Sequence, residues 1–370
     1  MNLYRERIRR LQALMQQEGY RLAVLSFSDQ MRYLSGYMEN GHKRFLALLV
    51  PWSEEPVFVV PKMNALEAAR NPAQISLVYG WEDATGWQDT VRTLFQGWDI
   101  RPGQAVLVDD ELYAVHLLGL QSIAPNLNYL PADAVLSRLR RVKTPDELSA
   151  MRRAAEIIDE VMEATLASLK EGMTEEEVAA LVKKQIQQHR SAPSFEPLVC
   201  FGANAAMPHH MPDTTPLRRG DMVIVDIGCT WEHYASDITR TVAFGAPPDE
   251  EAERVYRTVA EAHYAAFAVV RPGISCEEVD RVARRVIQTA GYGENFIHRT
   301  GHGIGLSCHE PPYIQEGNPL PLEPGFCFSI EPGIYLSGRY GVRLENIVTV
   351  TETGALSLNR PIPKTLPIIA

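Results

Sequence analysis

The feature that most constrains this chain is a carboxylate set inside an apolar strand. Met222 to Ile227 reads Met-Val-Ile-Val-Asp-Ile, with Gly220 before it and Gly228 after it, a pattern that predicts a strand. Asp226 interrupts the apolar run. A carboxylate buried without compensation is costly, so Asp226 must be paired, hydrogen-bonded or bound to a metal. Further on, Asp237 heads a second strand pattern, Asp237-Ile238-Thr239-Arg240-Thr241-Val242. If the two strands pair antiparallel, Asp237 turns its carboxylate back toward Asp226, and together they form half of a metal site. An ordinary salt bridge or a turn aspartate is the competing explanation for Asp226 alone.

Composition narrows the classes. The 370 residues, 45% hydrophobic and 22% charged, are those of a globular protein long enough for two domains. The net charge of -10, with no long basic stretch, argues against nucleic acid or an anionic membrane surface as the main partner. Arg5, Arg7, Arg9 and Arg10 run into Leu11, Leu14 and Met15, which predicts a surface helix rather than a secretory leader. No apolar run approaches the roughly 20 residues of a membrane span. Cys200, Cys229, Cys276, Cys308 and Cys327 are scattered, odd in number and without metal-type spacing. They predict reduced thiols and a cytoplasmic location, with Cys229 and Cys308 as small buried hydrophobes.

Taken in order, the chain first mixes a helix ending at Gly19 with apolar strands at Leu22–Phe27, Phe45–Val50, Val57–Val60 and Val106–Asp109. That predicts an α/β domain over 1–141. A second domain, 142–370, opens with Thr144-Pro145-Asp146-Glu147: an N-cap, a proline at the first helical position and a capping-box glutamate. Leu148, Met151, Ala155, Ile158, Met162, Leu166 and Leu169 then recur at three and four, and Gly172 is expected to close that helix. Thr174 and Glu177 cap a second helix to about His189.

The same grammar returns. A helix from about Asp249 to Val270 ends at Pro272-Gly273, and Ser275 with Glu278 predicts another capping box for a helix reaching Thr289. Laying Gly172 on Gly273 aligns Glu176, Glu177, Val178 and Ile186 with Glu277, Glu278, Val279 and Ile287. Each helix pair is followed by strands carrying two acids, Asp226 and Asp237, then Glu331 and Glu345. The expectation is two pseudo-symmetric α/β halves closing over one site.

Between those acids lie His298, His302 and His309, with glycines around His302 that permit close backbone approach. Phe326–Glu331 and Val342–Val350 read as strands, the latter placing Arg343 and Glu345 on one face. Asp226, Asp237, His302, Glu331 and Glu345 thus offer four carboxylates and an imidazole, a charge that two divalent cations would neutralise. The oxygen-rich, thiolate-free set suits Mn²⁺ first, then Co²⁺ or Zn²⁺.

The motifs Asp226-Ile227-Gly228, Ser236-Asp237-Ile238-Thr239-Arg240, Gly301-His302-Gly303-Ile304-Gly305, Ser329-Ile330-Glu331-Pro332-Gly333 and Arg343-Leu344-Glu345-Asn346 occur in order between about Thr144 and Arg360. This part of the chain resembles the pita-bread metallopeptidases, in the branch of Xaa-Pro dipeptidases (prolidases) and aminopeptidase P. The resemblance implies an α/β (α+β) pita-bread domain of two pseudo-symmetric halves, preceded by a smaller creatinase-like α/β domain. Residue by residue, it implies that Asp226 chelates one ion, His302 and Glu331 bind the other, and Asp237 and Glu345 bridge both. It further implies that His209 assists substrate and intermediate, that His309 hydrogen-bonds the scissile peptide or its oxyanion, that His298 lines the pocket, and that Arg343 braces the ligands. His210 gains no role from it.

The implied activity is dinuclear-metal-dependent hydrolysis of the bond before proline in a dipeptide or short peptide, by a homodimer, with Glu331 shuttling the proton. Chain length favours the prolidases. Some prolidases, however, carry an arginine where Tyr313 stands here, which keeps aminopeptidase P as the alternative. A hydrolase of non-peptide C–N bonds and a noncatalytic binding module rank behind both.

Overall fold

Residues 2–370 are described by a computed structural model, in which the chain divides into two units at Arg140/Arg141. In the first unit, helices α1 (Leu3–Glu18), α2 (Asp29–Ser35), α3 (Ala65–Ala68), α4 (Gln88–Gly97), α5 (Ala114–Ile123) and α6 (Asp133–Arg140) accompany one sheet. Its strands are β1 (Tyr20–Leu25), β2 (Ala47–Pro51), β3 (Val57–Pro61), β4 (Leu77–Trp81), β5 (Ala105–Val108) and β6 (Asn128–Pro131), in the order β4-β3-β2-β1-β5-β6. The four inner strands are the four apolar runs of the sequence. The edge strands β4 and β6 were not expected, because both are mostly exposed and carry little apolar patterning. Asn2 caps α1 by accepting from the amides of Tyr4 and Arg5, and Gly19 ends it at φ 80.

The second unit contains helices α7 (Pro145–Ser168), α8 (Glu175–Gln188), α9 (Glu250–Val269) and α10 (Cys276–Thr289). Its first-half strands are β7 (Ala192–Pro193), β8 (Leu198–Phe201), β9 (Met222–Ile227), β10 (Cys229–Trp231), β11 (Tyr234–Ala235) and β12 (Ile238–Phe244). Its second-half strands are β13 (Gly301–Gly303), β14 (Glu310–Ile314), β15 (Cys327–Ile330), β16 (Gly333–Leu336), β17 (Tyr340–Arg343), β18 (Asn346–Val350) and β19 (Ala355–Ser357), with β20 (Ile368–Ile369) returning to β12. The main sheets run β20-β12-β9-β8 and β14-β13-β15-β18-β19. β9 and β12 pair antiparallel with Thr239 opposite Asp226, as the opening motif requires, and a short β10–β11 hairpin joins them. Val161, Val182, Val225 and Ile238 belong to the core of one half, and Val259, Val279, Phe328 and Val348 to that of the other. This is the pita-bread architecture.

The repeat is visible in the backbone as well as in the sequence. α7 and α9 end at Ser168 and Val269, where Leu169 and Val270 turn extended (ψ 135 and 119). Gly172 therefore does not close the helix; it sits in the following turn at φ 85, as Gly273 does in the other half. The amide of Gly172 donates to Leu217 O at 2.8 Å, and that of Gly273 to Leu322 O at 2.9 Å. The capping boxes at Thr144–Glu147 and Thr174–Glu177 are complete. The third is half formed: Ser275 caps α10, but the Glu278 carboxylate turns toward Arg281, 4.0 Å away, instead of back to the cap. The expected strand Val342–Val350 is broken at Leu344–Glu345, because the chain changes partner there, β17 pairing with β16 and β18 with β15.

Gly228 shows how tightly the first aspartate pair is set. A Cβ there would lie 2.2 Å from Ser236 O, the carbonyl just before Asp237, and 2.2 Å from Ser194 Oγ. Gly228→Ala is therefore expected to lower stability by about 1–3 kcal/mol through overpacking, read from urea unfolding midpoints of wild type and variant.

Candidate metal centre

The site is built where strands from both halves end. Asp226 lies on β9 and Asp237 immediately precedes β12; His302 is on β13, Glu331 follows β15, and Glu345 occupies the break between β17 and β18. All five are pulled below the surface by apolar neighbours in sequence, and all five line one cavity of about 850 Å³. Asp226, Asp237, His302 and Glu345 are buried, and Glu331 is partly so.

Three of the carboxylates show the same division of labour between their oxygens. Asp226 Oδ2 is held at 2.6 Å by Arg343 Nη2, Glu345 Oε2 accepts from Thr239 Oγ1 at 2.6 Å, and Asp237 Oδ2 accepts from Cys308 Sγ at 3.3 Å. The remaining oxygens, Asp226 Oδ1, Asp237 Oδ1 and Glu345 Oε1, are buried with no hydrogen-bond partner. Buried orphan carboxylate oxygens are expensive and rare. Three of them in one cavity fit a cation site, and Asp237, His302 and Glu345 each offer a ligand atom within 4.8 Å of the others.

Charge tells the same story. Burial, then Glu345 and the other acids, holds Asp237 well above the usual carboxylate range, and burial followed by Glu331 and Asp226 does the same to Glu345. Burial raises Glu331 to about 7 although Arg343 opposes it. His302 goes the other way. Its Nδ1 sits 3.1 Å from Gly303 O, the geometry of an N–H donor, so Nε2 carries the lone pair, 3.3 Å from Glu331 and 3.8 Å from Asp237. Burial lowers its pKa to about 3, which makes these contacts those of a neutral imidazole rather than ion pairs. A neutral imidazole beside unneutralised carboxylates is a donor set for a metal.

The other singled-out residues also reach this cavity. His209 and His309 stand on its wall with their rings exposed, and the His309 ring lies 3.8 Å from that of His302. His298 lines it but is occupied: Nδ1 meets Arg299 O at 2.7 Å and Nε2 meets Tyr335 Oη at 2.9 Å. Arg343 spends its guanidinium on Asp226, Tyr335 Oη at 3.0 Å, Pro208 O at 3.3 Å and Thr239 Oγ1 at 3.3 Å. Arg343, Tyr335 and His298 thus form one hydrogen-bonded line ending at Asp226.

Sequence reasoning missed Tyr335, whose role depends on a strand pairing that no local pattern announces. It also missed Arg240, which is buried and donates to Glu345 O at 2.6 Å and Asn346 Oδ1 at 2.8 Å, locking the break that presents Glu345. Cys308 needs correction: it is a half-buried wall residue donating to Asp237, not an inert core thiol. Cys229 is fully buried, as expected. His210, without a role in the sequence, meets the buried Glu175 at 2.9 Å and ties the His209 loop to α8.

Comparison with known proteins decides the family. The model of metallopeptidase family M24 matches residues 149–352, and that of the creatinase/prolidase N-terminal domain matches residues 7–142. The chain belongs to the M24 metallopeptidase family. It is 40% identical over 340 residues to a probable dipeptidase PepE of Mycobacterium tuberculosis, covering 91% of this chain and 89% of that one. It is 37% identical over 355 residues to the Xaa-Pro dipeptidase of Lactobacillus helveticus, covering 93% and 94%. Among solved structures, a prolidase from Thermococcus sibiricus superposes with a TM-score of 0.94 at 35% identity, covering 99% of each chain. Divalent metal ions follow from the family, and the orphan oxygens fit them.

This metallopeptidase should couple metal to pH. Because the folded pKa of Glu331 is raised, its contribution to the metal-free fold is full below the ordinary value of 4.5 and is lost as pH rises through about 7. Metal must displace those protons. The rise in Tm on adding Mn²⁺ is therefore expected to be small near pH 5 and to grow toward pH 8. Thermal unfolding with and without metal across that range checks it; an increment that shrinks with pH contradicts it.

Proposed function

We propose that this M24 enzyme is a dinuclear-metal-dependent Xaa-Pro dipeptidase, a prolidase, hydrolysing the peptide bond before proline. The observation that carries the reading is the convergence of four carboxylates and a neutral imidazole on one cavity, in a chain whose near full-length relatives bear dipeptidase and prolidase names. Asp226 would hold one ion, His302 and Glu331 the other, and Asp237 and Glu345 would bridge the pair. When bound, two divalent ions supply Lewis acidity and an activated nucleophile from water, Mn²⁺ being the best match to the oxygen-rich set, with Co²⁺ or Zn²⁺ as alternatives.

The chain's own groups do the rest. His309, exposed beside His302, donates a hydrogen bond to the scissile carbonyl oxygen as charge develops on it. His209 faces the same cavity and supports the substrate and the tetrahedral state. Glu331, on the cavity wall beside His302, carries a proton to the departing proline nitrogen. His298 and Tyr335 keep Arg343 in line, and Arg343 keeps Asp226 oriented. Proline offers no N–H and fixes its own φ, so the site must read it by shape. Phe195, Leu198 and Met211 give the cavity its apolar wall.

A homodimer is proposed, with the domain 1–141 supplying contacts; Met63, Leu66, Leu77 and Tyr79 there are exposed apolar side chains. A cytoplasmic location is proposed on the five free cysteines. No helix among the described residues is long and apolar enough to cross a membrane.

The test is the Mn²⁺-loaded protein assayed side by side on a dipeptide Xaa-Pro and a tripeptide Xaa-Pro-Yaa, with a metal-stripped control. Cleavage of the dipeptide alone is expected. Preference for the tripeptide makes the enzyme an aminopeptidase P, and failure on both with metal bound overturns the peptidase reading in favour of another C–N bond. Asp237→Ala and Glu345→Ala are expected to lose bound metal and to lower kcat/KM by at least about a hundredfold; full turnover in either contradicts the two-ion assignment.

A further inference from the structure

Two arginines line the cavity, and their situations differ. Arg343 has its donors committed to Asp226, Tyr335, Pro208 and Thr239. The guanidinium of Arg299, in contrast, makes no hydrogen bond and no ion pair among the described residues; it stacks on the ring of Tyr313, 4.3 Å from its central carbon, and its charge is felt by Glu331 across the cavity. Stacking of this kind occupies a face of the planar group and leaves its N–H edge open to a planar, bidentate partner. Half-buried on the cavity wall, Arg299 presents a cation to the space where substrate must lie.

The backbone that carries Arg299 is fixed on both sides. Arg284 donates to His298 O at 2.9 Å and to Phe296 O at 3.0 Å, and is itself paired with Asp280. Asp280, fully buried, accepts from Thr300 N at 3.0 Å and from Thr300 Oγ1 at 2.7 Å. His302 pairs with Tyr313 across β13 and β14, so the ring under the guanidinium is set by the same register that sets the imidazole. This anchoring costs the protein its flexibility before any ligand arrives, which favours binding. The charge balance points the same way. Two divalent ions offset the four carboxylates, and the acid Glu196 on the wall is paired with Lys183. The arginines then leave the loaded cavity positive and ready for an anion.

We propose that Arg299 is a specificity-determining residue that receives a carboxylate of the substrate through a bidentate pair. The assignment rests on the peptidase reading for the identity of that substrate. An Xaa-Pro dipeptide offers two sources of the same chemistry: its C-terminal carboxylate, and the side chain of an acidic Xaa. A charge-assisted bidentate pair of this kind is worth about ten- to a hundredfold in kcat/KM.

The experiment compares metal-loaded wild type with Arg299→Gln and Arg299→Lys on Ala-Pro, Ala-Pro amide and Glu-Pro. In parallel, calorimetry follows binding of L-proline, L-prolinamide, L-glutamate and L-glutamine to the same proteins. If the C-terminal carboxylate is read, Arg299→Gln lowers the kcat/KM ratio of Ala-Pro to Ala-Pro amide about ten- to a hundredfold, chiefly through KM, and lowers the affinity ratio of proline to prolinamide. If the side chain is read, the Glu-Pro to Ala-Pro ratio falls instead, together with the glutamate to glutamine ratio. Arg299→Lys keeps the charge without the fork and recovers part of either loss. Thermal unfolding confirms that each variant is folded, as the lack of hydrogen bonds at Arg299 predicts. Ratios unmoved in both arms overturn the proposal. Should wild type cleave none of the three compounds while carboxylate binding still depends on Arg299, the dipeptidase reading fails and the assignment of Arg299 stands.

Discussion

Mutual repulsion among Asp226, Asp237, Glu331 and Glu345 is the constraint on which the second unit depends. Each half contributes two of these acids, and the halves meet where Thr239, Arg240 and Thr241 of β12 hydrogen-bond the Arg343–Glu345 segment between β17 and β18. The protein answers the charge in part. Arg343, Thr239 and Cys308 each hold one oxygen of a carboxylate, and the opposite oxygens are left buried without partners. A fold that buries such groups bears a destabilising load in the metal-free state, expressed as carboxylates that stay protonated well above their usual range. Divalent cations remove the load, and the residues that fix the oxygens in place determine where those cations can sit.

That constraint explains why the site was more legible in the sequence than the fold that carries it. An acid in an apolar strand is locally anomalous, and so is a histidine among glycines; both stand out without any knowledge of tertiary structure. The four inner strands of the first unit and the long helices of the second were legible for the matching reason, since apolar runs and capping residues act locally. What escaped was settled at a distance. The edge strands β4 and β6 lack an apolar run because their faces are exposed. Gly172 belongs to a turn pinned by Leu217, far away in the chain, and Glu278 prefers Arg281 to its own cap. The break at Leu344–Glu345 follows from a change of strand partner. Tyr335, Arg240 and the wall position of Cys308 follow from that break and from the register between strands.

The supporting residues share one logic, which is that the segments presenting groups to the chemistry are themselves held by buried charged or polar side chains. Asp280 and Arg284 fix the segment carrying His298 and Arg299, Arg240 fixes the backbone of Glu345, and Glu175 fixes the loop of His209 through His210. Such anchoring keeps like charges close together against their repulsion, and it delivers exposed imidazoles and one unengaged guanidinium to a single cavity. An M24 metallopeptidase that reads proline by shape has need of that rigidity, because the imino ring offers no N–H to guide it.

The most direct measurement of the central claim is anomalous diffraction from crystals of this protein grown with Mn²⁺. The account predicts two peaks per chain, both in the cavity, one against Asp226, one against His302 and Glu331, and both within reach of Asp237 and Glu345. A single peak, or peaks bound away from the orphan oxygens, would show that the carboxylates are neutralised by some means other than a pair of ions.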